Sequence, residues 1–222
     1  MKKLLLLISR LLFPPKCVLC RKVLDEHETD LCRQCRTDTP EFPKQQKKLP
    51  YLAGWTALWY YEGRVRHSIL RFKFYNARSH ADTYGRMLAM KLTQEEIKFD
   101  LLTWVPISRI RKWRRGYDQV ELIAKAVGKE LGITPVPTLK KLRNNPPQSG
   151  LQDAARRRAN VLGVYQVLDP HQLSGKQILL LDDIMTTGAT AGECARMLLT
   201  SGAKEVYCAA VAAASHNKKT SR

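Results

Sequence analysis

Hydrophobic positions along the chain follow two periods. Ile178, Leu179, Leu180 and Leu181 form an unbroken apolar run that stops at Asp182 and Asp183. A run of this kind predicts a strand buried on both faces, over 178–182. "YLAGWTALWYY" (51–61), "DLLTWVP" (100–106, ending at Pro106) and "EVYCAAVAAA" (205–214) read the same way. Between them the period lengthens. Val120, Ile123, Ala124, Val127 and Leu131 recur at helical spacing, with a start near Asp118 and Gly132 as a stop. A second helix runs from about Ala189 to Thr200 and is stopped by Gly202. "RHSILRFKFYNA" (66–77) reads as a helix or the approach to one, and 134–161 as a strand, a proline-rich loop and a mobile basic segment. Apolar strands alternating with helices predict an α/β fold: a parallel sheet with helices on both faces.

The two ends of the pattern differ from its middle. "MKKLLLLISRLLFPPK" imitates a secretion signal, yet Ser9 and Arg10 break the apolar run and no small-residue cleavage site follows. Leu4, Leu7, Ile8, Leu11 and Leu12 instead mark one face of an amphipathic helix, and no run is long enough to span a bilayer. Residues 36–50 are polar, punctuated by proline and poor in apolar groups, which suits a linker. The chain therefore divides into 1–48, an N-terminal helix with a small cysteine module, and 49–222, the α/β domain.

Cysteine spacing adds the first chemistry. Cys17, Cys20, Cys32 and Cys35 form C-x2-C-x11-C-x2-C. Two close pairs bring four thiolates to one tetrahedral ion, as zinc requires, and four thiolates leave no open position for a substrate. The predicted role is structural. Two disulfides do not suit a cytosolic chain, and a redox pair needs only one C-x-x-C. His27 reads as a solvated loop residue, and Cys194 and Cys208 as core.

Charge adds the second. The 222 residues carry 38 Lys and Arg against 20 Asp and Glu, a net +18. Residues 105–160 hold 13 basic against 4 acidic groups, a net +9, while 161–222 hold 6 against 5. Clustered positive charge favours polyanionic partners, either nucleic acid or phosphorylated ligands. The candidate contacts are Arg109, Arg111, Lys112, Arg114, Arg115, Arg156, Arg157 and Arg158, with Trp113 and Tyr117 placed to stack on bases.

The third is the end of the central strand. In open parallel sheets ligands bind beyond the carboxyl ends of the strands, where "DDIMTTGAT" lies. Thr186, Thr187, Gly188, Ala189 and Thr190 offer successive N–H groups and hydroxyls at a helix N-terminus, an anion site. Asp182 and Asp183 repel a phosphate, but suit a vicinal diol or a hard cation such as Mg²⁺. A phosphate beside a diol describes a ribose 5-phosphate. No Gly-Lys follows, so the loop is not of Walker A type.

The stretch resembles the phosphoribosyl-pyrophosphate (PRPP) loop of type I phosphoribosyltransferases. Two acids, an apolar residue and T-T-G-x-T follow an apolar run, filled here by Asp182, Asp183, Ile184, Met185, Thr186, Thr187, Gly188, Ala189 and Thr190. The whole order of motifs resembles the ComF-type family of competence and DNA-uptake proteins. Pro15, Cys17 and Cys20 match its opening element; Val105, Pro106, Arg115, Gly116, Tyr117, Asp118 and Gln119 its V-P and R-G-F-N-Q segments; and Gln148, Leu151, Arg157 and Asn160 its Q-x-x-L…R-x-x-N stretch. Asp118 departs from the usual Asn. The resemblance implies a phosphoribosyltransferase-like domain behind a zinc module, and a cytoplasmic protein working with uptake machinery at the inner face of the membrane. It implies single-stranded DNA and a helicase-like ATPase as partners, and Mg²⁺ with PRPP as ligand. Asp182 and Asp183 then hold the ribose hydroxyls and the metal, Thr186 to Thr190 the 5-phosphate, and Arg115 the pyrophosphate. The alternative implied is a working phosphoribosyltransferase with an unnamed acceptor, catalytic through Asp182 and Asp183.

Overall fold

A computed structural model of the chain describes residues 14–44, 48–143 and 160–215. The N-terminal amphipathic segment, and Gln148, Leu151, Arg156, Arg157 and Arg158, lie outside the described residues. Four strands pair in parallel: β1 (Gly54–Tyr60), β2 (Leu101–Trp104), β5 (Gln177–Met185) and β6 (Glu205–Ala213), in the order β1-β6-β5-β2. The aliphatic run of β5 sits second from one edge. Leu179 and Leu181 face one core, Ile178 and Leu180 the other, as the two-residue period requires. This is the α/β sheet with helices on both faces expected from the sequence.

The first core is built by α2 (Gly63–Phe74), α3 (His80–Gln94) and α5 (Gln119–Leu131). The second is built by α6 (Ala189–Thr200) and an antiparallel pair, β3 (Leu139–Lys141) with β4 (Tyr165–Val167). α5 begins where Asp118 accepts from Val120 and Glu121 N–H, and ends at Gly132 with φ 69°. A sixth helix, α1 (Arg33–Asp38), closes the cysteine module, and α4 (Arg109–Arg115) follows β2.

Four expectations change. α3 was not expected, although Ala81, Tyr84, Leu88 and Leu92 carry a helical period and all are buried. It packs so tightly on α5 that a Cβ at Gly85 would stand 2.3 Å from Ala126 Cβ. The basic stretch after Pro106, to which the pattern assigns no element, winds into α4 with Ser108 as its cap. The central strand runs on to Met185, so both acids belong to the strand rather than to the loop after it. Residues 36–50 are not simply a linker, because Phe42 is buried against Trp55 and Tyr60, and Glu41 bridges to Trp59.

The cysteine module is part of the first core. Cys17, Val18, Leu19, Leu24 and Leu31 pack in one cluster with Ile69, Phe72 and Tyr84. Polar contacts fasten the seam. Ser68 Oγ donates to the Val18 carbonyl, Arg71 donates to the Val18 and Leu19 carbonyls at 3.2 and 2.6 Å, and Arg86 pairs with Asp30.

Candidate phosphate site and zinc site

The four cysteine sulfurs all lie within 4.8 Å of one another, and none is in a disulfide. A tetrahedral zinc–thiolate site has S···S edges of about 3.8 Å, so the four sulfurs stand close enough to draw together on one ion. Arg64 Nη1 stands 3.5 Å from Cys35 Sγ, an outer contact that stabilises a thiolate. His27 is exposed, and Cys194 and Cys208 are fully buried, each as expected.

At the carboxyl ends of β1, β2 and β5 lies a cavity of about 730 Å³. Alternation along β5 decides how its acids enter it. Asp183 continues the face of Leu181, toward α2 and α5; Asp182 continues the face of Leu180, toward the β3–β4 pair. The two carboxylates thus straddle the strand end instead of standing side by side. Lys73 Nζ, at the end of α2, donates to Asp183 Oδ1 at 2.9 Å, and Gln119 Nε2 donates to Oδ2 at 2.7 Å. Arg115 in turn donates to Gln119 Oε1 at 2.6 Å. Asp182 Oδ1 accepts from the Asp183 N–H at 2.8 Å.

These partners set opposite protonation tendencies. Burial, and then the Asp183 charge beside it, push the Asp182 carboxyl up to about 8. Burial also works against an ionised Asp183, but the Lys73 ammonium, Gln119 and Arg115 outweigh it and hold that carboxyl below the usual range. Without a ligand the site therefore favours the ionised form at Asp183 and disfavours it at Asp182. A dication brought in with a ligand would favour ionising both. Across the cavity, burial and the nearby Arg111 lower Lys141 to about 8, with its ammonium 5.3 Å from the Tyr165 ring.

Six basic side chains line the cavity (Arg66, Lys73, Arg111, Arg114, Arg115 and Lys141) against two acidic ones. Walls this positive suit a ligand with several phosphoryl oxygens. Thr186 and Thr190 line the same space. Thr187, Gly188 and Ala189 form the turn behind it: Thr187 Oγ1 accepts from Ala189 N–H at 3.4 Å, and Gly188 has φ 74°. Gly188 is required twice over, because a Cβ would also come within 2.7 Å of Leu49 Cδ1. Met185 points into the second core and is 2% exposed.

The structure thus brings Asp182, Asp183, Thr186, Thr190, Arg111, Arg114 and Arg115 together. Arg109, Lys112 and Trp113 are not among the residues lining the cavity. Trp113 is 85% exposed, and Lys112 pairs with Glu121 at 2.8 Å. Tyr117 is corrected as a stacking residue. Its ring is buried under Arg78 and against Phe72, and its hydroxyl donates to the Phe72 carbonyl. Asp118, at the expected helix start, is a buried cap that also accepts from Ile107 N–H. Lys73, Arg66 and Lys141 escaped sequence reasoning because each is an ordinary basic position far along the chain from the loop motif.

Fold and cavity together define a phosphoribosyltransferase-type domain carried behind a zinc ribbon. Family profiles agree: residues 121–222 match the phosphoribosyl transferase domain and residues 8–46 the double zinc ribbon domain. The chain is 26% identical to Competence protein F of Haemophilus influenzae over 215 residues, which is 86% of this chain and 93% of that protein. It is 32% identical to the DNA utilization protein YhgH of Salmonella typhi over 112 residues, covering 49% of this chain and 48% of the relative. The corresponding protein of Escherichia coli K12 is 30% identical over the same shares. The chain is thus similar to competence and DNA-utilization proteins, and it carries a phosphoribosyl transferase domain behind a double zinc ribbon. The four clustered cysteines form its structural zinc site, and four ligands suffice for one ion. No helix among the described residues is long and apolar enough to cross a membrane.

Proposed function

We propose that the protein is a DNA-uptake accessory factor whose cavity binds Mg²⁺–PRPP, and which handles single-stranded DNA beside a helicase-like ATPase in the cytoplasm. One observation carries the ligand assignment: six basic groups and the Asp182/Asp183 pair converge on a single cavity at the strand ends. The diol of the ribose would meet Asp183 and Asp182, the 5-phosphate the turn Thr186–Thr190, and the pyrophosphate Arg115 with its neighbours on α4. Mg²⁺, bound with the pyrophosphate, would supply countercharge that the carboxylates help to hold. The strand would track the outer face of α4, where Arg109 and Lys112 offer phosphate contacts and Trp113 an exposed ring; Arg156, Arg157 and Arg158 are further candidates from the sequence.

A second reading is an active phosphoribosyltransferase. It is favoured by the cavity's extension past Asp183 to Tyr61, Leu70 and Phe74, which leaves room for an acceptor. Catalysis would rest on positioning and on charge stabilisation of an oxocarbenium-like centre, with Asp182 and Asp183 as its acidic partners. Calorimetric titration with Mg²⁺–PRPP, and with labelled single strands, tests both readings, with Asp183→Ala as control. Binding of both ligands without pyrophosphate release in a screen of bases supports the accessory role. Turnover with any base establishes the transferase, and no heat with Mg²⁺–PRPP removes the ligand assignment.

A further inference from the structure

We propose that Lys73 is a ligand-positioning residue of the phosphate cavity, and that the zinc module sets its position through α2. The inference rests on the PRPP reading above, but on different residues.

α2 spans the two sites. Near its start, Arg64 reaches Cys35 Sγ at 3.5 Å and Asp38 at 3.3 Å. One turn on, Ser68 donates to the Val18 carbonyl, and Arg71 takes the Val18 and Leu19 carbonyls. Arg71 Nε is buried without a hydrogen-bond partner among the described residues, and Nη2 makes both carbonyl contacts. Val18 and Leu19 lie between Cys17 and Cys20, in a knuckle whose shape depends on both thiolates sharing an ion. Two residues after Arg71 comes Lys73, whose ammonium holds Asp183. A helix of 12 residues is stiff over about 18 Å, so a shift at the module end carries Lys73 with it.

At the other end, Lys73 occupies the carboxylate that a diol or a divalent cation needs. Its side chain is 16% exposed and lines the cavity, so it is confined there. Once ligand takes Asp183, the ammonium has the ligand's phosphoryl oxygens as its nearest alternative. Lys73 is thus a competitor for a bare cation and a partner for the cation–pyrophosphate complex.

The test uses the zinc-loaded full chain. Lys73→Met is expected to weaken Mg²⁺–PRPP binding about tenfold or more, with Lys73→Arg restoring part of the loss. Mg²⁺ alone should bind the Met variant more tightly than the parent, the opposite sign; a purely structural Lys73 would weaken both or neither. Arg71→Met, with zinc content still one per chain, is expected to weaken Mg²⁺–PRPP, and the Arg71→Met/Lys73→Met pair no further than Lys73→Met alone. Losses that multiply, or an unchanged affinity in Lys73→Met, overturn the inference. If Arg71→Met loses zinc, Arg64→Met makes the same comparison. A zinc-loaded parent silent to Mg²⁺–PRPP removes the ligand assignment and this inference together, whereas a binding parent with multiplying losses removes the inference alone.

Discussion

The zinc site and the phosphate cavity are assembled in opposite ways. Four identical ligands come from a stretch of 19 residues, Cys17 to Cys35, and meet through two short turns. The cavity draws Lys73, Arg115, Gln119, Lys141 and Asp183 from five separate elements, and its central ion pair joins residues 110 apart. The first site is specified by local spacing. The second exists only once the sheet has formed, and so inherits whatever holds the sheet's helices in place. Here that includes the module, since Val18 and Leu19 share a core with α2.

The largest test of this dependence removes the metal. Cys17→Ser, or chelation, is expected to abolish zinc binding and to lower the melting temperature by more than about 10 °C, because Leu19, Leu24 and Leu31 lose the scaffold that buries them. Mg²⁺–PRPP affinity should fall with it. Metal analysis with calorimetry decides: a zinc-free protein with the parent's melting point and affinity would make the two regions independent.

What was legible in the sequence follows the same division. C-x2-C-x11-C-x2-C gives the metal site outright, and the β5 run with its acids gives the strand and the anion turn, because each is contiguous. The helical period of Val120 to Leu131 and its two ends were equally readable. Reasoning failed where a residue's meaning depends on a distant partner. Lys73 reads as an ordinary basic position until α2 is laid beside β5. Tyr117 reads as a stacking ring until Arg78 and Phe72 cover it. Phe42 reads as part of a linker until Trp55 buries it.

Next in size is the asymmetry of the two acids. Asp183→Ala should reduce Mg²⁺–PRPP affinity about a hundredfold, since it removes an ionised ligand and leaves Lys73 without its partner. Asp182→Asn should cost about tenfold, because burial and the Asp183 charge already disfavour the ionised form of this carboxyl before ligand enters. Equal losses in the two variants would mean that the strand end does not separate their roles.

The seam between the regions carries a smaller, pH-dependent signal. His80 packs on Phe72 and Tyr84 beside Ser68, and burial, then the Arg71 charge, lower it to about 4. Unfolded, it would titrate near its ordinary 6.5. Between those values the unfolded chain takes up a proton that the folded protein refuses, so stability present above pH 6.5 is lost as pH falls toward 4. The loss should reach about 2.5 kcal/mol, measured by urea unfolding at pH 7 and pH 4.5. His80→Gln should flatten that slope; an unchanged slope would place the titration elsewhere.

The smallest effects belong to the outer face of α4, where no ordered pocket helps. Trp113 is 85% exposed, so a base stacking on it gains only one face, and Trp113→Ala should weaken single-strand binding by about 1 kcal/mol. Arg109→Gln should lower the slope of log affinity against log salt by about one, one phosphate contact fewer. Tyr117→Leu should leave strand binding at the parent value, because its ring already lies under Arg78. Fluorescence anisotropy across a salt series measures all three. The pattern separates surface from interior: if Tyr117→Leu weakened binding as much as Trp113→Ala, the strand would have to reach inside the fold, and the contrast between a built cavity and an open basic face would fail.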